Sequence, residues 1–418
     1  APEDRRFHAQ TMSCPRCGPS LTWTPNLDEL KFESLAPLDA ARRALARGRI
    51  VAIKGLGGFH LACDATREEV VAELRKRKGR PHKPLAVMTP DIESCRGLCM
   101  VSPGEEELLR SASAPIVLLK KRPAAPLAAG VAPGLRHVGV MLAYTPVHHM
   151  LFDAPEMPPA LIMTSCNRAD EPIAISAQEV LERLGDIADA VLSNDRSIIN
   201  RCDDSVFTFH ARGPVPIRRS RGYVPEPILL ARAGPSVFAT GAMWKNAFAL
   251  TSGRRAFLSQ HIGDVSDADN AAHFEETFRR FSALLRLEPE LIACDLHPDY
   301  PTTAFAQRLA EERGLPLVQV QHHHAHVAAT LAEHRIEGRA IGVSMDGAGL
   351  GADGAIWGGE FFIADQASYD RKFHLRYVPM PGGEKAVLEP DRMALAHLTA
   401  AVGADEARAR MQRYLGPE

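Results

Sequence analysis

Several groups of residues in this chain have side-chain types and spacings suited to chemistry. Gln321-His322-His323-His324-Ala325-His326 closes a short apolar stretch and opens a run of good helix formers. On a helix His322 and His326 stand at i and i+4, on one face, a spacing that lets two imidazoles share one metal ion. His323 and His324 point elsewhere and can orient ligands or contact substrate. The bland alternative is a polar helix start, or capped core histidines, with no metal. Downstream, Ile341-Gly-Val-Ser-Met-Asp346 sets a carboxylate at the end of an apolar strand, and glycines follow at 347, 349, 351 and 354. Asp346 at that place can bind a metal or position a phosphate through it. Read alone, the segment is also an ordinary β-hairpin.

A second group is cationic. Arg75-Lys76-Arg77-Lys78-Gly79-Arg80-Pro81-His82-Lys83-Pro84 carries six cations between a helix and an apolar strand, where such a loop can clamp polyphosphate. An isolated run of this kind reads equally as a solvated basic turn. Three other segments weaken that reading. Thr164-Ser165-Cys166-Asn167 ends an apolar strand with small hydrogen-bonding groups, the usual ligand position in open α/β sheets. Ile53-Lys54-Gly55-Leu56-Gly57-Gly58-Phe59-His60 ends a strand in a lysine and a glycine-rich turn whose amides can approach an anion. Arg218-Arg219-Ser220-Arg221-Gly222 adds cations before a linker. At the start, Cys14-x-x-Cys17-Gly18 is a thiolate knuckle, with His8 a weak third donor. A structural zinc needs four ligands, so this pair is half a site or a chance pair in a loop, and tight zinc binding by it alone is not expected.

The elements that must hold these residues alternate helix and strand. Leu38 to Arg47 and Glu68 to Lys78 read as helices, the second burying Val70, Val71 and Leu74. Strands are predicted at 50–53, 84–88, 114–119 and 161–164, and 124–133 reads as an exposed Ala/Pro/Gly-rich loop. The punctuated stretch 221–235 is a linker with the main boundary near residue 232. Beyond it, 237–241 reads as a strand then a turn, further strands are predicted at 247–251, 291–294, 317–320 and 340–345, and a helix at 273–287. The length of 418 residues fits two or three domains, and 45% hydrophobic content fills ordinary cores. The division predicted is a zinc-knuckle remnant at 1–30, a mixed α/β domain at 31–231 and a second α/β domain at 232–418. A net charge of −2 disfavours a nucleic-acid binder, and no apolar run is long enough for a membrane span. Eight cysteines in a chain this long make no disulfide scaffold, so the six dispersed ones are expected as buried free thiols. A cytoplasmic setting is expected. The first and last residues suggest sequence lost at both ends.

Lys78-x-Arg80 with Ser165-x-Asn167 resembles the KxR and SxN signature of YrdC-like domains, over about residues 36–228. That resemblance implies acyl-adenylate formation from a carbamate-type acid and ATP. Lys54, Lys78, Arg80, Ser165, Asn167 and Arg221 would line the site. Thr240-Gly-Ala-Met-Trp-Lys245-Asn246, the HxxxH pair and the Asp346 segment resemble the first lobe of an actin/sugar-kinase-like (ASKHA) domain of the TsaD-like group. There Lys245, Asn246, Asp346, Gly347 and Gly349 would contribute to the cofactor site, and His322, His326 and Asp346 would hold zinc or iron. Ser259-Gln-His-Ile-Gly-Asp264, Asp295-Leu-His-Pro-Asp-Tyr300 and Pro381-Gly-Gly-Glu-Lys385 point the same way. In the order knuckle, YrdC-like, TsaD-like, the chain resembles the HypF family of hydrogenase-maturation carbamoyltransferases. The resemblance implies carbamoyl phosphate or carbamate and ATP with magnesium as substrates. It also implies the C-terminal cysteine of HypE as acceptor, for the cyanide ligands of nickel–iron hydrogenase. An acylphosphatase-like domain, most of the zinc module and the second TsaD-like lobe are expected to lie outside this chain. Three rivals remain: an antibiotic-type O-carbamoyltransferase, a threonylcarbamoyl-adenylate synthase for tRNA, and a non-catalytic scaffold binding double-stranded RNA. The first places its TsaD-like domain first in the chain, and the third is disfavoured by the net charge.

Overall fold

A computed structural model describes residues 18–168, 171–383 and 385–415. Cys14, Cys17 and His8 lie outside the described residues. The chain forms two compact units. The first holds residues up to Ile228 with 236–252 and 256–290, and the second holds 229–235, 253–255 and 291 onward.

The first unit is built on an 11-stranded mixed sheet. Its centre runs Ala190–Asn194, Val51–Lys54, Phe59–Asp64, Leu161–Ser165, Val87–Thr89, His137–Leu142 and Ile116–Lys121. These strands are apolar on both faces, and successive side chains feed two different cores. Ala52, Phe59, Leu61, Ile162, Val140 and Val191 join one core, with Val70, Val71 and Leu74 from the helix Glu68–Lys78. Val51, Ile53, Ala62, Met163, Met141 and Leu192 join the other, with Ala41, Ala44 and Leu45 from the helix Pro37–Ala46. Helices on both faces explain why Phe59–Asp64 is buried at every position and shows no polar alternation.

Two expectations are corrected here. The strand predicted at 84–88 is shifted to Val87–Thr89. Pro84 has no N–H, and Leu85 bonds instead to the Val131 carbonyl. That contact also overturns the exposed loop at 124–133. Ala128, Val131 and Ala132 are buried, because the carbonyls of Gly130 and Val131 are claimed by Arg75 and Leu85. The six cysteines among the described residues are free thiols as expected, though Cys202 is only half buried.

Residues 236–252 and 256–290 add a compact aromatic centre to this unit. Val237–Ala239 pairs antiparallel with Ala249–Leu258, Phe238 facing Leu250. Phe238 stacks on Phe278 at 4.0 Å between ring centroids and meets Phe248 edge-on at 5.6 Å. The helix bearing Phe278 is Ala268–Leu285, starting earlier than predicted because Asp267 caps it by accepting from the Asn270 N–H.

In the second unit Leu291–Asp295 and Leu317–Val320 pair in parallel, with the helix Pro301–Arg313 between them in sequence. The helix His322–Glu333 follows directly, capped by the Gln321 side chain on the His324 N–H. It packs Val327 and Leu331 against Trp357, Phe362 and Ala364 of a three-stranded antiparallel sheet, Ala340–Leu350, Ile356–Ala364 and Tyr369–His374. Among the described residues no helix is long and apolar enough to cross a membrane.

Candidate functional site

Three of the residues singled out for a metal come together in the second unit. The ligand atoms of His322, His326 and Asp346 all lie within 4.8 Å of one another. The parallel strand ending at Asp295 and the helix beginning at His322 put a carboxylate against the first imidazole. His322 Nδ1 donates to Asp295 Oδ2 at 2.7 Å. With that proton spent, Nε2 of the neutral ring is a lone pair. It faces Asp346 Oδ2 at 2.9 Å and His326 Nε2 at 3.2 Å. Asp346 Oδ2 is buried and, among the described residues, makes no well-angled hydrogen bond despite that short approach. Lone pairs of two imidazoles and a carboxylate converging on one point need a cation between them. In the metal-free chain a proton takes that role. The hydrogen bond to Asp295 and then the close Asp346 carboxylate push His322 up to about 9, against the cost of burial. Burial and the His322 charge hold His326 below the usual imidazole range. The donor set therefore fits a divalent metal bound by nitrogen and oxygen, with Asp295 orienting His322 from behind.

Two backbone features make room for this. The ladder between Ala340–Leu350 and Ile356–Ala364 is irregular between Met345 and Gly349, which takes Asp346 out of regular pairing. Gly349 passes so close to the start of the helix that a Cβ there would lie 2.6 Å from the His323 ring. Gly347 donates its N–H to Asp346 Oδ1 at 2.7 Å. His323 is fully buried, and His324 contacts the Asp365 carbonyl through Nε2 at 2.9 Å.

Lys78 of the KxR pair meets the SxN residues in the first unit. Lys78, at the last turn of its helix, is buried and donates from Nζ to the Ser165 carbonyl at 2.6 Å, to the Asn167 carbonyl and to Asn167 Oδ1 at 3.1 Å. Ser165 Oγ donates to Asn167 Oδ1 at 2.8 Å. Burial, followed by the charge of Arg80, lowers Lys78 to about 7. Three oxygen acceptors pull the other way, since only the ammonium form has three protons to give. We favour the ammonium at neutral pH for that reason. The rest of the cationic run is divided in its duties. Arg75 is buried and donates to the carbonyls of Gly130, Arg80, Pro81, Lys83 and Val131, so it shapes the loop. Arg77 pairs with Asp189 and Glu73.

The other predicted residues are more dispersed. Lys54 Nζ donates to the carbonyls of Asn194 and Arg196, and burial lowers it. Arg221 belongs to a buried network that sequence reading missed. Its Nε donates to Asp204 Oδ1 at 2.6 Å, while His60 Nε2 meets Asp204 Oδ2 at 2.9 Å. The guanidinium lies over the Tyr144 ring at 3.8 Å. This network is tied to the SxN strand, because His60 stands directly opposite Ser165 in the ladder. Asn246 is buried and spends its amide on the Thr240 and Ala242 carbonyls. Lys245 is exposed, with its backbone N–H on Asp264.

Family models match nearly the whole chain. One described as HypF finger covers residues 1–24, and one described as Telomere recombination, for Sua5, YciO and YrdC, covers 43–220. HypF Kae1-like domain matches 232–333, and Carbamoyltransferase, Kae1-like Domain, second subdomain matches 342–416. Fold and site thus define a YrdC-like domain followed by Kae1-like domains. Carbamoyltransferase HypF2 of Cupriavidus necator is 46% identical over 94% of this chain and 50% of its own length. Carbamoyltransferase HypF of Rhizobium leguminosarum bv. viciae is 45% identical over 87% and 48%. The crystal structure of T. kodakarensis HypF superposes with a TM-score of 0.92 at 40% identity, covering 99% of this chain and 54% of that one. A full-length HypF in a phosphate- and nucleotide-bound form superposes at 0.88 with 43% identity, over 98% and 54%. The chain belongs to the HypF carbamoyltransferase family, and it spans about half the length of the curated relatives it matches.

Proposed function

We propose that this chain carries two steps of hydrogenase-maturation carbamoyl transfer. They are an ATP-dependent activation in residues 31–231 and a transfer step that begins in residues 232–418. In the first, a carbamate oxygen attacks the α-phosphorus of magnesium-bound ATP, pyrophosphate leaves, and carbamoyl adenylate forms. Lys78 and Arg80 offset the charge on the departing phosphates, and Ser165 and Asn167 hold the reacting acid at the strand end. In the second, the thiolate of the HypE C-terminal cysteine attacks the carbamoyl carbon and AMP leaves. A zinc or iron ion held by His322, His326 and Asp346 would supply positive charge to phosphate or carbonyl oxygen there. Asp295 keeps His322 turned with Nε2 forward. Cys14 and Cys17 would serve zinc in the finger, and the reaction would run in the cytoplasm.

The observation that carries the reading is the direct bonding of Lys78 to both members of the SxN pair, 87 and 89 residues away. The test is ATP–pyrophosphate exchange with ammonium carbamate supplied directly. Exchange should depend on carbamate and fall at least about a hundredfold in Lys78→Ala/Arg80→Ala, since charged contacts to the reacting phosphates are removed. Undiminished exchange in that variant, or exchange that needs threonine, would overturn the assignment.

A further inference from the structure

The Arg221–Asp204–His60 network has a feature that packing does not account for. His60 is 5% exposed and Asp204 8%. His60 Nδ1 is buried with no hydrogen-bond partner among the described residues. Its direction is fixed by neighbours. The ring faces the glycine turn, where a Cβ on Gly55 would lie 3.0 Å from Nδ1. That turn is closed by the Gly55 N–H on the Gly58 carbonyl, and it is braced by Cys202, whose carbonyl would meet a Cβ on Gly57 at 2.2 Å. His60 and Ser165 are directly opposed on antiparallel strands, so their side chains leave the same face of the sheet, with Cβ atoms about 5 Å apart.

The tautomer follows from the partners. Asp204 as a carboxylate only accepts, so the proton on His60 sits on Nε2. Burial raises Asp204, but His60 and Arg221 outweigh it and keep the carboxyl well below the usual range. Arg221 already balances the Asp204 charge, so a neutral imidazole leaves the buried cluster compensated. Nδ1 is then a lone pair in a dry place, and it calls for an N–H or O–H donor.

We infer that His60 contacts the substrate of the activation step, its Nδ1 accepting a hydrogen bond from the amino group of a small carbamate-class acid seated at the Gly55–Gly58 turn beside Ser165. Asp204 is the positioning residue that fixes the tautomer. The inference rests on the adenylate reading for its substrate, and the contact would let the site tell carbamate from acids without an amino group.

His60→Gln separates contact from packing. Its side-chain amide reproduces the Nε2–H toward Asp204 and lacks anything at the Nδ1 position. In ATP–pyrophosphate exchange, His60→Gln should raise KM for ammonium carbamate about tenfold while KM for ATP stays within about twofold, the size of one lost hydrogen bond. Its thermal midpoint should stay at the wild-type value, and Asp204→Asn should shift KM for carbamate in the same direction. A KM for carbamate unchanged in His60→Gln, with wild-type exchange intact, overturns the inference. If the wild type shows no carbamate-dependent exchange, the adenylate reading falls on its own, and nitrogen-15 NMR of the histidine rings decides the rest. A shift of a ring nitrogen on adding ammonium carbamate, absent from His60→Gln, sustains the contact. No such shift overturns it.

Discussion

Asp295→Asn tests the proposed metal centre through a residue that would never touch the metal. The wild-type carboxylate accepts from His322 Nδ1 at 2.7 Å in a buried position, and it is the largest contributor to holding His322 at about 9. Removing its charge has two opposed effects. The imidazole becomes a poorer donor, and loss of such an orienting carboxylate weakens metal binding by about 10–100-fold. The ring also loses affinity for the competing proton. Wild-type binding at pH 7 must displace a proton held about two pH units above ambient, which costs about a hundredfold in apparent affinity. The two effects separate with pH. Zinc affinity of the wild type, read by titration in chelator-buffered zinc, should rise about tenfold per unit between pH 7 and pH 9 as one proton is released per ion. In Asp295→Asn the same curve should be nearly flat above pH 7. The variant should bind about 10–100-fold more weakly at pH 9.5 and close to the wild type at pH 7. Parallel curves for the two proteins would refute the role given to Asp295. So would equal affinity at pH 9.5. The metal-free chain carries the matching signature. A histidine raised from 6.5 to about 9 stabilises the fold fully below pH 6.5, by about 3 kcal/mol at most, and that contribution disappears as pH rises through 9. Urea unfolding of the metal-free protein at pH 6 and pH 9.5 measures it.

Three further outcomes follow from the packing. Arg75→Lys replaces a fork that reaches five carbonyls with a point charge, so it should destabilise by about 1–3 kcal/mol and raise KM for ATP, read by urea unfolding and exchange kinetics. Gly349→Ala forces a Cβ against the buried His323 ring and should cost about 1–3 kcal/mol of stability while weakening zinc binding, read by calorimetry. Phe278→Ala empties the stack on Phe238 and should lower unfolding stability by about 3–5 kcal/mol, with a fall in the thermal midpoint by differential scanning calorimetry.

The legible and illegible parts of this molecule differ by sequence separation. His322 and His326 could be paired because a helix puts four residues into one turn, and the helix His322–Glu333 does so. Asp346 announced itself as a carboxylate ending an apolar strand. Asp295 gives the same signal after Leu-Ile-Ala-Cys, yet nothing local connects it to His322, 27 positions on. The alternation of helices and strands was readable because each strand is a short apolar run between polar helices. The Phe59–Asp64 strand was hidden behind its glycine turn, and burial on both faces erased its alternation. Arg75 illustrates a different difficulty. Six cations in one loop look interchangeable on paper, and only tertiary contact separates the arginine that builds the loop from the lysine beside the SxN pair. His60, Asp204 and Arg221 are separated by 144 and 17 residues and meet only because the sheet brings them together, so no spacing rule finds them.

The three oxygens around Lys78 Nζ bear on chemical self-preservation. An adenylate of a carbamate is an acylating agent, and an unprotonated lysine amine is the nucleophile it would modify first. Burial alone would leave Lys78 with a large share of that form at neutral pH. With its three protons directed at the Ser165 and Asn167 oxygens, the nitrogen offers no lone pair. On the proposed adenylate reading, the same contacts that join helix to strand end would keep Lys78 from becoming the product of that intermediate.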